Sequence, residues 1–169
     1  MNNEQAIATE YQMPQLVSWL LRLPLINRLG FDRRPKEFVR FLKFAAVGAL
    51  GMVIDLTTLT IAVEVFHLPL ELAVGIGFTV AVLSNFIWNR FWTFPESRSR
   101  PIAGQLVQFV AVNIVGLGIN EIVVLGLHPV FSIVLPDPPA YLAAKIIAIG
   151  IVLFWNYFVN RIWTYRGIK

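Results

Sequence analysis

Two segments of the chain carry the same polar residues at the same spacing. Ser84–Phe94 reads SNFIWNRFWTF and Trp155–Tyr165 reads WNYFVNRIWTY; two Asn, one Arg, one Trp and one Thr coincide at a constant offset of 71. Asn85, Asn89 and Trp92 stand at i, i+4 and i+7, and so do Asn156, Asn160 and Trp163, a spacing that predicts one helix face in each copy. A doubled stripe of amides is costly toward hydrocarbon and is expected to face protein or a polar cavity. Beside it, Arg90 and Arg161 are basic groups at the helix ends that can snorkel to headgroups. Such a set suits the capture of a phosphate. The plainer alternative is that the amides tie helices together through interhelical hydrogen bonds.

Lys145 is the second feature with chemical content. It precedes Asn156 by eleven residues, which on a helix puts both on one side, about 16 Å apart at 1.5 Å per residue. A lone cation at that depth can neutralise a phosphate that would otherwise enter a low-dielectric environment unpaired; the structural alternative is an ion pair with Glu121. Asp55 is a carboxylate in the middle of another apolar run. It can pair with Lys145 or Arg90, stay protonated through desolvation, or carry a proton. Asn113 and Asn120 read as interhelical contacts, with the inner half of their helix able to line a path. His67 and His128 lie in short connections without a ligand set, and Glu64 and Glu71 suit solvated positions, so no metal and no cofactor is expected.

The elements that carry these residues follow from composition. Of 169 residues, 57% are apolar and 14% charged, with a mean hydropathy of +0.67; a soluble domain carries about 25% charged residues. Absence of cysteine excludes a disulfide scaffold or a thiolate metal centre. Four apolar stretches, Phe44–Phe66, Leu70–Phe91, Leu106–Leu127 and Ala140–Ile162, are each long enough to cross a hydrocarbon core as a helix. They lack the alternation of barrel strands, and helices are the remaining spanning solution. The expected fold is an all-α integral membrane protein of four transmembrane helices.

Residues 1–40 differ. Glu4 and Glu10 replace the basic start of a signal peptide. Gln15–Gly30 is apolar but broken by Arg22, Pro24 and Arg28, which suggests an interfacial amphipathic segment or a disordered leader. Thirteen of the fourteen Lys and Arg fall on one side of the expected topology. The positive-inside rule makes that side cytoplasmic and puts both termini there.

Comparing the chain with itself extends the match. Phe44, Val47, Gly51 and Ile54 correspond to Phe109, Val112, Gly116 and Ile119 at an offset of 65, and Asp55 then corresponds to Asn120. The chain reads as a membrane domain over residues 41–169 built from two helical hairpins, residues 41–95 and 106–166. Each hairpin crosses twice, so the two should be related by an axis along the membrane normal. Lys145 falls opposite Val74, which breaks the symmetry.

On these residues the chain resembles a known family. Four spans, the FLKFAAVG entry at Phe41–Gly48 and two span-end signatures of the form NFxxNRxWTF are similar to the GtrA-like family over about Arg40–Arg166. The second copy has Tyr157 and Tyr165 where the pattern has Phe. The resemblance implies a small membrane protein of the bacterial cytoplasmic membrane that works beside polyprenyl-phosphate glycosyltransferases. It also implies translocation of a polyprenyl-phosphate carrier or its linked sugar for cell-surface polysaccharide synthesis. Arg90, Arg161, Asn85, Asn89, Asn156 and Asn160 are then the expected captors of the phosphate headgroup, with Lys145 as a cationic station and Asp55 and Glu121 as coupling or pairing groups.

Two other classes fit the sequence: an adaptor that recruits or stabilises a glycosyltransferase, and a small-solute exporter centred on Asp55. An enzyme fits poorly, because no nucleophile–base pair and no phosphate-cradling glycine loop is present. Nucleic acid is not an expected partner. Four spans make a thin bundle, and a homodimer is a further expectation.

Overall fold

The computed structural model describes residues 35–166. Among them the architecture is entirely helical. Helix α1 spans Pro35–Glu64, α2 Leu70–Trp88, α3 Ile102–Phe131 and α4 Pro139–Val159. With the turns that extend α2 and α4, all four are long and apolar enough to cross a membrane. In hydrocarbon every main-chain polar group needs an internal partner, and a helix supplies it within one segment. Proline opens each helix. Pro35 and Pro139 occupy first helical positions, and Pro69 and Pro101 immediately precede α2 and α3. There the missing N–H costs nothing and the fixed φ suits the first turn.

The helices outrun the apolar stretches at several ends. Helix α1 begins nine residues before Phe44, and α3 continues through Pro129 to Phe131. Hydropathy marks what lies in hydrocarbon, whereas a helix stops only where a cap or a turn is favoured. Helix α1 closes in this way: His67 takes φ 51°, and the Leu68 N–H reaches back to the Ala62 carbonyl at 3.0 Å. The left-handed turn at His67 lets a main-chain N–H beyond the helix satisfy one of its last carbonyls, which would otherwise lack a partner.

The chain divides into two units, residues 1–42 and 43–169. The described part of the first is Pro35–Leu42, in which Arg40 pairs with Glu37 across one helical turn at 2.7 Å. The interfacial segment expected at Gln15–Gly30 lies outside the described residues. The second unit holds α1 from Lys43 onward, the other three spans and all the geometry below.

Both copies of the polar signature end their helix in the same unusual way. Asn89–Thr93 and Asn160–Thr164 are π turns, closed by Phe94 N–H to Asn89 O and Tyr165 N–H to Asn160 O, each at 2.8 Å. A π turn accommodates one more residue than an α turn, so every later side chain is shifted around the axis. This corrects the expectation that Trp92 and Trp163 share the asparagine face. Both tryptophans are 44% exposed, while Thr93, Phe94, Thr164 and Tyr165 are buried.

Candidate functional site

The four helices line a partly open cavity of about 440 Å³. Helix α1 contributes small and apolar positions, Ala45, Gly48, Ala49 and Met52, so its polar content comes from the other three. Asn85 and Asn89 enter from the end of α2, Asn113 and Asn120 from α3, and Lys145 and Asn156 from α4. Phe44 and Phe109, matched in the two halves, line it as well.

Four of the residues picked out by spacing, Asn85, Asn89, Lys145 and Asn156, therefore meet around one cavity. Asn113 and Asn120, read from sequence chiefly as helix contacts on a helix whose inner half could line a path, join them. Asn113 donates its amide to Phe109 O on its own helix at 2.8 Å. Arg90, Arg161, Asn160, Asp55 and Glu121 are not among the lining residues.

Lys145 is half-buried and has neither a hydrogen bond nor an ion pair among the described residues. The pairing with Glu121 weighed from sequence is not formed. Glu121 is exposed and instead accepts the Asn120 amide at 3.2 Å. Lys145 thus brings an uncompensated positive charge to a site otherwise lined by neutral amides and hydrocarbon.

Two amides are seated by glycine. A Cβ added at Gly116 would lie 2.9 Å from Asn156 Oδ1, and one at Gly51 would collide with the Asn85 amide. Gly51 matches Gly116, and Asn85 matches Asn156. Both Oδ1 atoms are buried without a hydrogen-bond partner among the described residues. Only a missing side chain lets the neighbouring helix approach this closely. Asp55 rests on Gly77 in a comparable way, with Oδ1 2.6 Å from where a Cβ would be; the matched positions in the second half are Asn120 and Ala148.

The second members of the stripe differ. Asn160 is spent: its amide donates to Asn156 O at 2.8 Å, and its Oδ1 accepts from Thr164 Oγ1 at 2.7 Å. In the first half, Asn89 Oδ1 and Thr93 Oγ1 are buried with no partner among the described residues. The uncommitted asparagine is the one on the cavity.

Arg90 does not reach the cavity because it serves the connection between the hairpins. Its Nη2 donates to Arg98 O at 2.9 Å and to Arg100 O at 3.0 Å, holding the short 3-10 helix Pro95–Ser99 against the end of α2. Gln105, fully buried, donates to Ser97 O and Thr164 O at 3.2 and 3.3 Å. Arg100 reaches Thr164 O at 2.7 Å. No feature of composition distinguishes Gln105 from any other glutamine, and its role is visible only in space.

At the same end, rings join the two halves. Phe94 and Tyr165 stack with centroids 4.5 Å apart and planes 20° apart. Phe44 packs on Tyr157 at 5.6 Å, and the matched pair Phe109 and Phe86 lies at 5.7 Å. Burial holds the Tyr165 phenol well above the ordinary tyrosine range, opposed by the positive charge of Arg90.

The sequence model described as "GtrA/DPMS, transmembrane domain" matches residues 43–165. The chain belongs to this family. The GtrA/DPMS domain is associated with polyprenyl-phosphate sugar metabolism and is not itself a catalytic family. The chain is similar to a dolichol-phosphate mannosyltransferase of Pyrococcus furiosus, with 30% identity over 130 residues, 74% of this chain and 33% of that protein. It is also similar to the uncharacterized membrane protein YngA of Bacillus subtilis strain 168, with 29% identity over 133 residues, 77% of this chain and 82% of that protein. The chain therefore spans about a third of the mannosyltransferase's length and most of YngA's. The match covers the four spans and both asparagine signatures, so the cavity belongs to the GtrA/DPMS domain, and this is a multi-pass membrane protein.

Proposed function

We propose that the chain translocates a polyprenyl-phosphate carrier, or the sugar linked to it, across the cytoplasmic membrane of a bacterium for cell-surface polysaccharide synthesis. The observation that carries this reading is the unpaired Lys145 in a cavity shared with Asn85, Asn89, Asn113, Asn120 and Asn156. A phosphate leaving water needs a counter-charge and hydrogen-bond donors; otherwise its transfer into low dielectric is prohibitive. Lys145 offers the first and the asparagine amides the second. A volume of about 440 Å³ suits a phosphorylated headgroup of small-molecule size, while the prenyl tail stays in lipid. The chain is read as a duplicated hairpin with both ends cytoplasmic. The paired rings at matched positions and the two glycine-seated amides support the duplication, and the placement of Lys and Arg supports the orientation.

Arg90 and Arg161 are assigned to the entrance rather than the cavity, where Arg90 shapes the rim through main-chain carbonyls. Asp55, resting on Gly77, remains the candidate for coupling, and a homodimer remains compatible with so thin a bundle.

The test is flipping of a labelled polyprenyl-phosphate lipid in liposomes that contain the purified chain. Wild type is expected to exceed empty liposomes, and Lys145→Ala to fall to their level with helicity intact. Equal rates for wild type and empty liposomes would sink the reading.

A second reading, a membrane anchor or adaptor for a glycosyltransferase, is favoured by one observation: the match to a third of a dolichol-phosphate mannosyltransferase. Loss of a partner enzyme from membranes on deleting residues 1–41, with flipping absent from the wild type, is the outcome that selects it.

A further inference from the structure

A second, smaller groove of about 270 Å³ lies between α1 and the end of α2, apart from the central cavity. Its lining is apolar: Ala46, Val47, Leu50, Trp88 and Trp92. Lys43 stands at its rim. The ammonium lies 5.4 Å from the centre of the Trp92 ring and 3.5 Å from Trp92 O. It has no carboxylate partner among the described residues.

The two tryptophans are 47% and 44% exposed. Neither indole N–H has an acceptor among the described residues, whereas Trp155 donates its own to Val112 O at 3.2 Å. One groove thus combines an apolar lining, a cation without a counter-ion among the described residues and two uncommitted N–H donors. Tryptophan with a basic residue at the end of a span is the combination that settles at the headgroup level of a bilayer.

We infer that this groove holds one anionic glycerophospholipid, an acyl chain lying along Ala46, Leu50 and Trp88 and the phosphate meeting Lys43 and the indole N–H groups. Charge decides the occupant. A zwitterionic lipid would bring its own cation to a site that already has Lys43 and no carboxylate. The second half does not repeat the site, since the positions matched to Lys43 and Trp88 are Gln108 and Val159. The stoichiometry is therefore one lipid per chain. This inference is independent of the transport reading, because no residue of the central cavity takes part.

The experiment is native mass spectrometry of the full chain in detergent after delipidation. It is titrated with phosphatidylglycerol, phosphatidylcholine and a short-chain polyprenyl phosphate. One phosphatidylglycerol is expected to be retained in preference to phosphatidylcholine. Lys43→Gln should weaken that retention about fivefold, as one basic residue near an anionic lipid contributes. Lys43→Gln with Trp88→Val, which copies the second half, should abolish the preference. Trp163→Leu, outside the groove, should leave it unchanged, and circular dichroism reports that each variant is folded. Equal retention of phosphatidylcholine, or undiminished retention by Lys43→Gln, overturns the inference. So does tighter binding of the polyprenyl phosphate that depends on Lys43, which would make the groove part of the carrier's path.

Discussion

Phe94 and Tyr165, 71 residues apart in sequence, stack face to face with centroids 4.5 Å apart. Each follows a π turn, and each is fully buried. The contacts around them correspond: Phe44 lies 6.4 Å from Phe94, and Phe109 lies 6.3 Å from Tyr165. Phe94→Ala or Tyr165→Ala should cost about 3–5 kcal/mol through the cavity each leaves. Reversible unfolding in mixed detergent measures the loss, and a cost below about 1 kcal/mol would show that the stack does not bind the halves together.

The Tyr165 hydroxyl is buried without a partner among the described residues, and the matched residue is Phe94. Tyr165→Phe should leave stability at neutral pH unchanged or raise it slightly, because an unsatisfied polar atom is removed. Its effect should depend on alkali. Burial raises the phenol above its unfolded value of 10.0. The unfolded chain then loses this proton first, and stability falls as the pH rises above about 10. Wild type should lose stability there faster than Tyr165→Phe. Parallel curves for the two proteins would count against a buried, protonated phenol.

Glycine positions divide into two groups by what a Cβ would meet. Gly51→Ala and Gly116→Ala should each destabilise by about 1–3 kcal/mol, the range for overpacking a close contact. Gly75→Ala, Gly118→Ala and Gly150→Ala meet nothing within 4 Å and should be neutral or mildly stabilising by helix propensity. Combining Gly116→Ala with Asn156→Ala should recover most of the loss. Thermal denaturation of the five single variants and the double variant checks the ordering.

Lys145 presents opposite expectations for stability and for transport. As a half-buried cation without a counter-ion it contributes nothing to holding the helices, so Lys145→Met should leave the melting temperature unchanged or higher. Headgroup flipping should nevertheless be lost. A variant that both unfolds and loses flipping would assign Lys145 to the framework.

Gln105 holds two main-chain carbonyls from different segments. Gln105→Leu should cost about 1–3 kcal/mol, the penalty of leaving buried polar groups unpaired. It should also loosen the connection at residues 95–100, which limited proteolysis reads directly. Unchanged cleavage would mean that Arg90 alone suffices to hold that segment.

The four spans were legible because hydrocarbon imposes one solution on any long apolar run, whatever the detail of its residues. The cavity was partly legible for a related reason: Asn85, Asn89, Asn156 and Lys145 are costly in lipid and must find protein, so their types alone pointed inward. What remained hidden depended on one inserted residue per turn. The i, i+7 spacing put Trp92 with Asn85, but the π turn carries Phe94 and Thr93 to the buried side instead, and no composition signals that widening. The reach of Arg90 was hidden for a different reason. A guanidinium near a helix end suits a phosphate and a pair of carbonyls equally well, and only the position of Arg98 and Arg100 decides between them.

The molecule has the mechanics of tweezers. The halves are riveted by stacked rings where α2 and α4 end, whereas at the opposite end, around His67 and residues 132–138, no ring of one half touches a ring of the other among the described residues. Spreading the far tips breaks no aromatic contact, while spreading the riveted end requires the Phe94–Tyr165 pair to slip. The two ends of the helices therefore differ in how much work it takes to spread them, and the stiffer one is where Arg90 holds the Arg98 and Arg100 carbonyls.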